Sequence, residues 1–268
     1  ENVAAGPEID PETGAPPVGG QDFGLRGYNL FWTDPGSSLA LVKGEFRTSY
    51  IVNPENGQIP RLANPKVDLN RPQFGARYLT GVADASGPEA MPISERCLIG
   101  FGNTAGPGMM GTLYNSSYQF VQTDDYVLIS VEMVHDARII PIFDSPETAR
   151  AQRRPVALEQ WFGDSVGWYE NDQLVVETVN INPLQLSQSS VPITKAGHII
   201  ERFSRASDNE IFYQFMVDDS NIYSQPWTAE LSFYATKDGL YEYACHEGNY
   251  AMSATLRGAR VQEKEHRE

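Results

Sequence analysis

Between Phe46 and Glu247 the chain returns repeatedly to short runs of alternating apolar and polar residues, broken by clusters of Pro, Asn, Asp and Gly. A period of two is the pattern of a half-buried strand, because successive side chains point to opposite faces. "FRTSYIV" leads into "NPENG", a turn sequence with an early Pro and a closing Asn-Gly pair. "YQFVQ", "TDD" and "YVLISVEMV" read as strand, turn, strand. "VGWYE", "ND" and "QLVVETVNI" read as a hairpin whose turn residues Asn171 and Asp172 tolerate positive φ. "HIIERFSR" and "EIFYQFMVDD" flank "ASDN", and "WTAELSFYAT" and "LYEYACHE" flank "KDG". A helix is expected only within "SPETARAQRRPVALEQWFG", capped by Asp144 or Ser145 and interrupted at Pro155.

Short strands at near-regular spacing indicate an all-β antiparallel meander with few short helices. Two architectures satisfy that pattern: a closed or partly closed barrel of lipocalin-like form, and a two-sheet sandwich. Residues 1–22 are rich in Pro, Gly and acid without apolar periodicity and read as a flexible N-terminal arm. Residues 23–260 then form a single β-domain, and 261–268 a charged, solvated tail that includes His266.

Composition narrows the partners. Twenty Lys and Arg against 35 Asp and Glu leave a formal charge of −15, which disfavours nucleic acid or an anionic membrane surface. No apolar run is long enough for a transmembrane segment. A chain beginning at Glu1 fits a protein whose signal peptide has been removed, so a secreted or periplasmic location is expected. The two cysteines, Cys97 and Cys245, are then expected to form a disulfide, which in the chain-entropy model removes about 4–5 kcal/mol of unfolded-state freedom.

Polar residues inside apolar strands carry the candidate chemistry. In "YVLISVEMVHDARII" an unbroken strand puts His135 on the face of Val127, Ile129, Val131 and Met133, with Glu132, Asp136 and Arg138 opposite. In "LYEYACHEGNY", Cys245 and Glu247 share one face and His246 the other, with Gly248 ending or bulging the strand. A Cys97–Cys245 bond would bring the glycine-rich "SERCLIGFGNTAGPGMM" beside that rim as a wall or lid. Trp168 and Tyr169, with Trp161, offer flat faces for a sugar or aromatic ligand. Glu177, in an apolar strand, needs a partner, and Arg202 is available. No HExxH, GxSxG, phosphate-loop or calcium-loop pattern occurs, and a Ser165–His135–Asp136 triad is poor geometry because adjacent strand residues face apart.

At "YNLFWTDPG", "RTSYIVNPENGQIP", "SERCL", "VHDARIIP", "GDSVGWYENDQLVVET", "ERFSR", "PWTAE" and "YEYACHEGNY" the chain resembles a family of exported bacterial proteins of unassigned function. The resemblance covers most of residues 28–260 and implies export and a shared fold, but supplies no reaction. Relatives tend to carry "GDSRGRWEGDTLVVET", so Val166, Trp168, Tyr169 and Asn171 depart from the usual pattern.

Three readings follow. The first is a lyase, isomerase or hydrolase acting on a carbohydrate-derived or aromatic compound. In it His135 and His246 exchange protons, Asp136 and Glu247 orient them, and Arg138, Trp168, Tyr169, Asn249 and Tyr250 hold the substrate. The second is a non-catalytic ligand-binding module or a subunit of an extracellular or envelope assembly, with homo-oligomers in its scope. The third is a metal site from His135, His246, Glu247 and Asp136, whose spacing is not diagnostic. No cofactor and no resident metal is expected.

Overall fold

The computed structural model describes residues 40–67, 85–100, 102–112, 115–187 and 189–265. All of these belong to the second of two units into which the chain divides, Ser38–Glu268. The expected 1–22 arm and His266 lie outside the described residues.

Most of the expected strands form. After β1 (Ala40–Val42), β2 (Glu45–Arg47) and β3 (Ile51–Asn53) come β4 (Tyr118–Gln122), β5 (Tyr126–Val131) and β6 (Ala137–Phe143). A short helix, α1 (Pro146–Ala151), precedes β7 (Asp164–Glu170), β8 (Gln173–Val179), β9 (His198–Ser207), β10 (Glu210–Asp218) and β11 (Trp227–Tyr234); α2 (Tyr250–Glu265) ends the described chain. Ser145 caps α1 by accepting the Thr148 N–H, and Pro146 fills the first helical position, where its missing N–H costs nothing. Asn171 and Asp172 take φ 50° and 60°, the tight-turn geometry expected of that hairpin. "NPENG" also turns as expected, with the Gly57 N–H bonded to the Pro54 carbonyl.

Among the described residues nine strands make one sheet in the order β3-β11-β10-β9-β8-β7-β6-β5-β4, and β1 and β2 a separate hairpin. Every neighbouring pair is antiparallel except β6 and β7, so the sheet is mixed rather than a pure meander. The parallel step needs a crossover, and α1 supplies it, lying on the outer face with Ala149 against Val166, Trp168 and Val175. The inner face folds over on itself. Phe120 of β4 meets Phe203 of β9 and Phe233 of β11 at ring-centroid distances of 5.9 and 5.8 Å. Edge strands β3 and β4 are not paired with each other, so the described sheet is sandwich-like and does not close as a barrel. Its interior is filled by aromatic and branched side chains, among them Tyr213, Phe215, Trp227, Ile129 and Ile199.

Two expected strands differ: one is broken by a turn and one does not form. "YVLISVEMVHDARII" is a hairpin: β5 ends at Val131 and a 3₁₀ turn at Met133–His135 reverses the chain into β6. "LYEYACHE" is irregular, and residues 261–265 of the expected tail continue the exposed helix α2.

Candidate functional site

The hairpin reverses the expected placement around His135. Val134 and His135 sit at φ 57° and 53°, the turn tip carries the imidazole into solvent, and His135 is exposed rather than on the apolar face. Asp136 is buried instead, and its Oδ2 accepts the Gly100 N–H at 2.7 Å. Burial pushes its pKa up to about 6, with the Gly100 bond acting in the opposite direction. Glu132 is buried too and accepts from Asn115 Nδ2 at 2.5 Å.

The second stretch is held by the disulfide expected between Cys97 and Cys245, with Cα atoms 5.8 Å apart. Asn249 donates to the Glu95 carbonyl at 2.6 Å, so its side chain anchors backbone, while His246, Glu247 and Tyr250 are exposed. Both histidine stretches are thus tied to the same 95–100 loop. Among the described residues neither imidazole makes a hydrogen bond or ion pair, and no three His, Cys, Asp or Glu side chains converge as metal ligands.

Arg138 has an unexpected partner. Because Arg138 is directly opposite Ile129 on β5, it shares that residue's inner face and reaches Glu201 of β9. The two pair through both nitrogens, Nη1 to Oε1 at 3.0 Å and a shorter contact from Nη2 to Oε2. The Tyr213 hydroxyl donates to Glu201 Oε1 at 2.6 Å and accepts from the Met109 N–H at 2.9 Å. Arg138 also donates to the Ala105 carbonyl, and the Gly108 N–H reaches Glu201. Burial opposes the Arg138 charge, but the Glu201 carboxylate outweighs it and holds the guanidinium protonated. Burial and the same carboxylate push the Tyr213 hydroxyl far up, so it serves as a donor. The glycine-rich segment is therefore clamped onto a buried ion pair. At Gly106 (φ 89°) any side chain would strike the guanidinium. Glu201 was overlooked in the strand pattern, although it sits between Ile199 and Phe203 on the apolar face of "HIIERFSR".

On the outer face, Glu177 is bound by Arg150 (Nη2 to Oε2, 2.7 Å), Arg153 (2.9 Å) and His198 (3.2 Å). Burial alone would raise its pKa, but Arg150, Arg153 and His198 together bring it below the ordinary carboxylate range. The expected Glu177–Arg202 pair does not form: Arg202 stands opposite Val175 and pairs with Glu170. Trp168 is buried beneath this cluster against Ala149, so it packs α1 onto the sheet instead of walling a pocket. Tyr169 is half exposed near the hairpin turn.

A concave feature lies between β6 and β7. They pair only at Ile142–Gly167 and Phe143–Trp168 and diverge toward their N-terminal ends. The next rung needs an N–H from residue 141, which is Pro141, so the ladder stops there. Alternation makes the consequence specific. Asp136 and Ile142 direct their backbone bonds to the β5 side, so Ala137 and Ile139 direct theirs toward β7. The two-residue turn closes on the Glu170–Gln173 pair, which commits the even-numbered residues of β7 to β8 and turns Ser165 toward β6. A cleft of about 280 Å³ occupies the split, with Trp161, Phe162, Gln160 and Arg154 among its walls. Arg138 Nη2 reaches Ser165 Oγ across its floor at 3.4 Å. Arg154 is exposed, and among the described residues its guanidinium makes no ion pair, while its backbone N–H is held by Asp164 Oδ2 at 3.1 Å.

The fold and cleft define a disulfide-linked, mostly β protein whose folded-over mixed sheet is split beside a small aromatic-walled recess. Comparison with known protein families, with curated proteins and with solved structures finds no match.

Proposed function

We propose that the chain is a non-catalytic binding module of an exported protein, holding a small molecule in the β6–β7 cleft. One observation carries this reading. The split joins unpaired strand edges, two aromatic side chains and an uncompensated guanidinium, whereas the four residues expected to exchange and orient protons are separated into surface turns and a buried backbone anchor. The disulfide favours an oxidising compartment, and among the described residues no helix is long and apolar enough to cross a membrane.

The test is native mass spectrometry of protein purified from its own host, compared with its denatured mass. A discrete small-molecule increment is expected, lost in Trp161→Ala and kept in the double variant His135→Ala/His246→Ala. Turnover of a compound by the wild type that the histidine double variant abolishes would sink the reading in favour of acid–base catalysis. A discrete oligomer with no small-molecule increment would favour the assembly reading.

A further inference from the structure

Resting on the cleft as the binding place, we propose that its ligand is an extended peptide segment ending in a free carboxylate, which adds to the open edge of β6 as a short strand. Three observations converge on that chemistry. Ala137 and Ile139 turn their backbone N–H and C=O groups into a split that β7 does not close, and Ser165 does the same from the other side. Unpaired strand edges are templates for another extended backbone, whose own amides reproduce the missing rungs. The open edge from Ala137 to Ile139 spans ~7 Å, enough for two or three ligand residues at strand spacing.

Charge selects the end of the peptide. Arg138 is neutralised by Glu201, and Asp164 lies 3.7 Å from Arg153 Nη1. Arg154 is left as an uncompensated cation among the cleft-lining residues, in a protein whose net charge is −15. Within the cleft, attraction for anions therefore centres on Arg154, and a terminal carboxylate offers the planar acceptor that a guanidinium pairs best. Half-buried Trp161 and Phe162 supply an apolar wall for a ligand side chain.

The probes are trivaline, its C-terminal amide, and trivaline N-methylated at its second and third residues, titrated into the intact, oxidised protein. Binding is followed by tryptophan fluorescence and by backbone amide resonances. Saturable binding of the free acid is expected, with shifts at Ala137, Ile139 and Ser165. Amidation should weaken it about tenfold, the scale of one charge-assisted contact. Arg154→Ala, an exposed position that leaves the fold intact, should bring the acid and the amide to equal affinity. Methylation should abolish binding, because it removes the donors that complete the ladder. Equal binding of the N-methylated peptide, or binding that leaves those three amides unmoved, overturns the proposal. If trivaline fails while another small molecule occupies the cleft in the native spectrum, the peptide assignment falls and the binding module stands. If nothing occupies it, both fall.

Discussion

Among the described residues Glu201 and Arg138 form the most deeply buried ion pair, and their energetics follow from that burial. Each alone would be an uncompensated charge among Ile129, Ile199 and Phe203, so Glu201→Ala should cost about 3–5 kcal/mol in a urea titration. Replacing both residues with apolar ones, Arg138→Met/Glu201→Leu, should cost less than Glu201→Ala alone. A double variant as unstable as the sum of the singles would show that the loop contacts to Ala105 and Gly108, not the charges, dominate. Asp136 behaves differently, because its pKa is raised from 3.8 to about 6. The native state holds that proton more tightly than the unfolded chain. Its contribution to stability is therefore full below about 3.8 and lost as pH rises through about 6, a difference of ~3 kcal/mol. Asp136→Asn keeps an acceptor for the Gly100 N–H and stays neutral, so it should gain on the wild type between pH 4 and 6. Parallel stability curves would mean that Asp136 does not titrate in this range. The alternation in the sequence places His135 on the apolar face, whereas the fold buries Asp136 and exposes His135. An alternation rule carries a side chain's direction only while the strand lasts, and the chain turns at Glu132.

At the scale of elements, the strands and turns with local chemistry were legible: the Asn171–Asp172 hairpin, the Ser145 cap and the paired runs from β7 to β11. What local pattern does not carry is which strands meet out of order. The parallel contact of β6 with β7 depends on the crossover through α1, and with it came the cleft and the Arg138–Glu201 pair, 63 residues apart in sequence. "LYEYACHE" is not a strand for a related reason: β11, which it follows, already has β10 and β3 on its two sides, and Cys245 and Asn249 bind the segment to a loop instead. Pro141 is the element-level cause of the split and can be tested as such. Pro141→Val supplies the missing N–H toward the Ser165 carbonyl and suits a strand. The ladder should extend by a rung, seen as a slowly exchanging amide at position 141, and binding in the cleft should weaken by at least about tenfold as the edge becomes occupied. Slow exchange without any loss of binding would separate the cleft from the open ladder.

For the whole molecule, the question is how the chain after β11 stays with the sheet. Residues 237–249 are irregular and largely exposed, and no residue of α2 is buried. Links to the rest include the Cys97–Cys245 bond, Asn249 to the Glu95 carbonyl, and Arg260 to the carbonyls of Ala85 and Ser86. The disulfide closes a separation of 148 residues, worth about 5 kcal/mol of unfolded-state entropy in the chain model. That loop contains β4 to β11, whose core is complete without the C-terminal segment. Two consequences should therefore appear together when Cys97→Ser/Cys245→Ser removes the bond. The sheet should lose global stability yet remain folded, and the terminal segment should open far more readily than the sheet. Limited trypsin digestion reads both, because exposed Lys237 lies just beyond β11. The expected first product of the double variant ends at Lys237 and keeps its β-type circular dichroism, while the oxidised wild type is cut there slowly. Digestion that instead destroys sheet and tail at the same rate would make the tail part of one cooperative unit, with the disulfide acting on the whole fold.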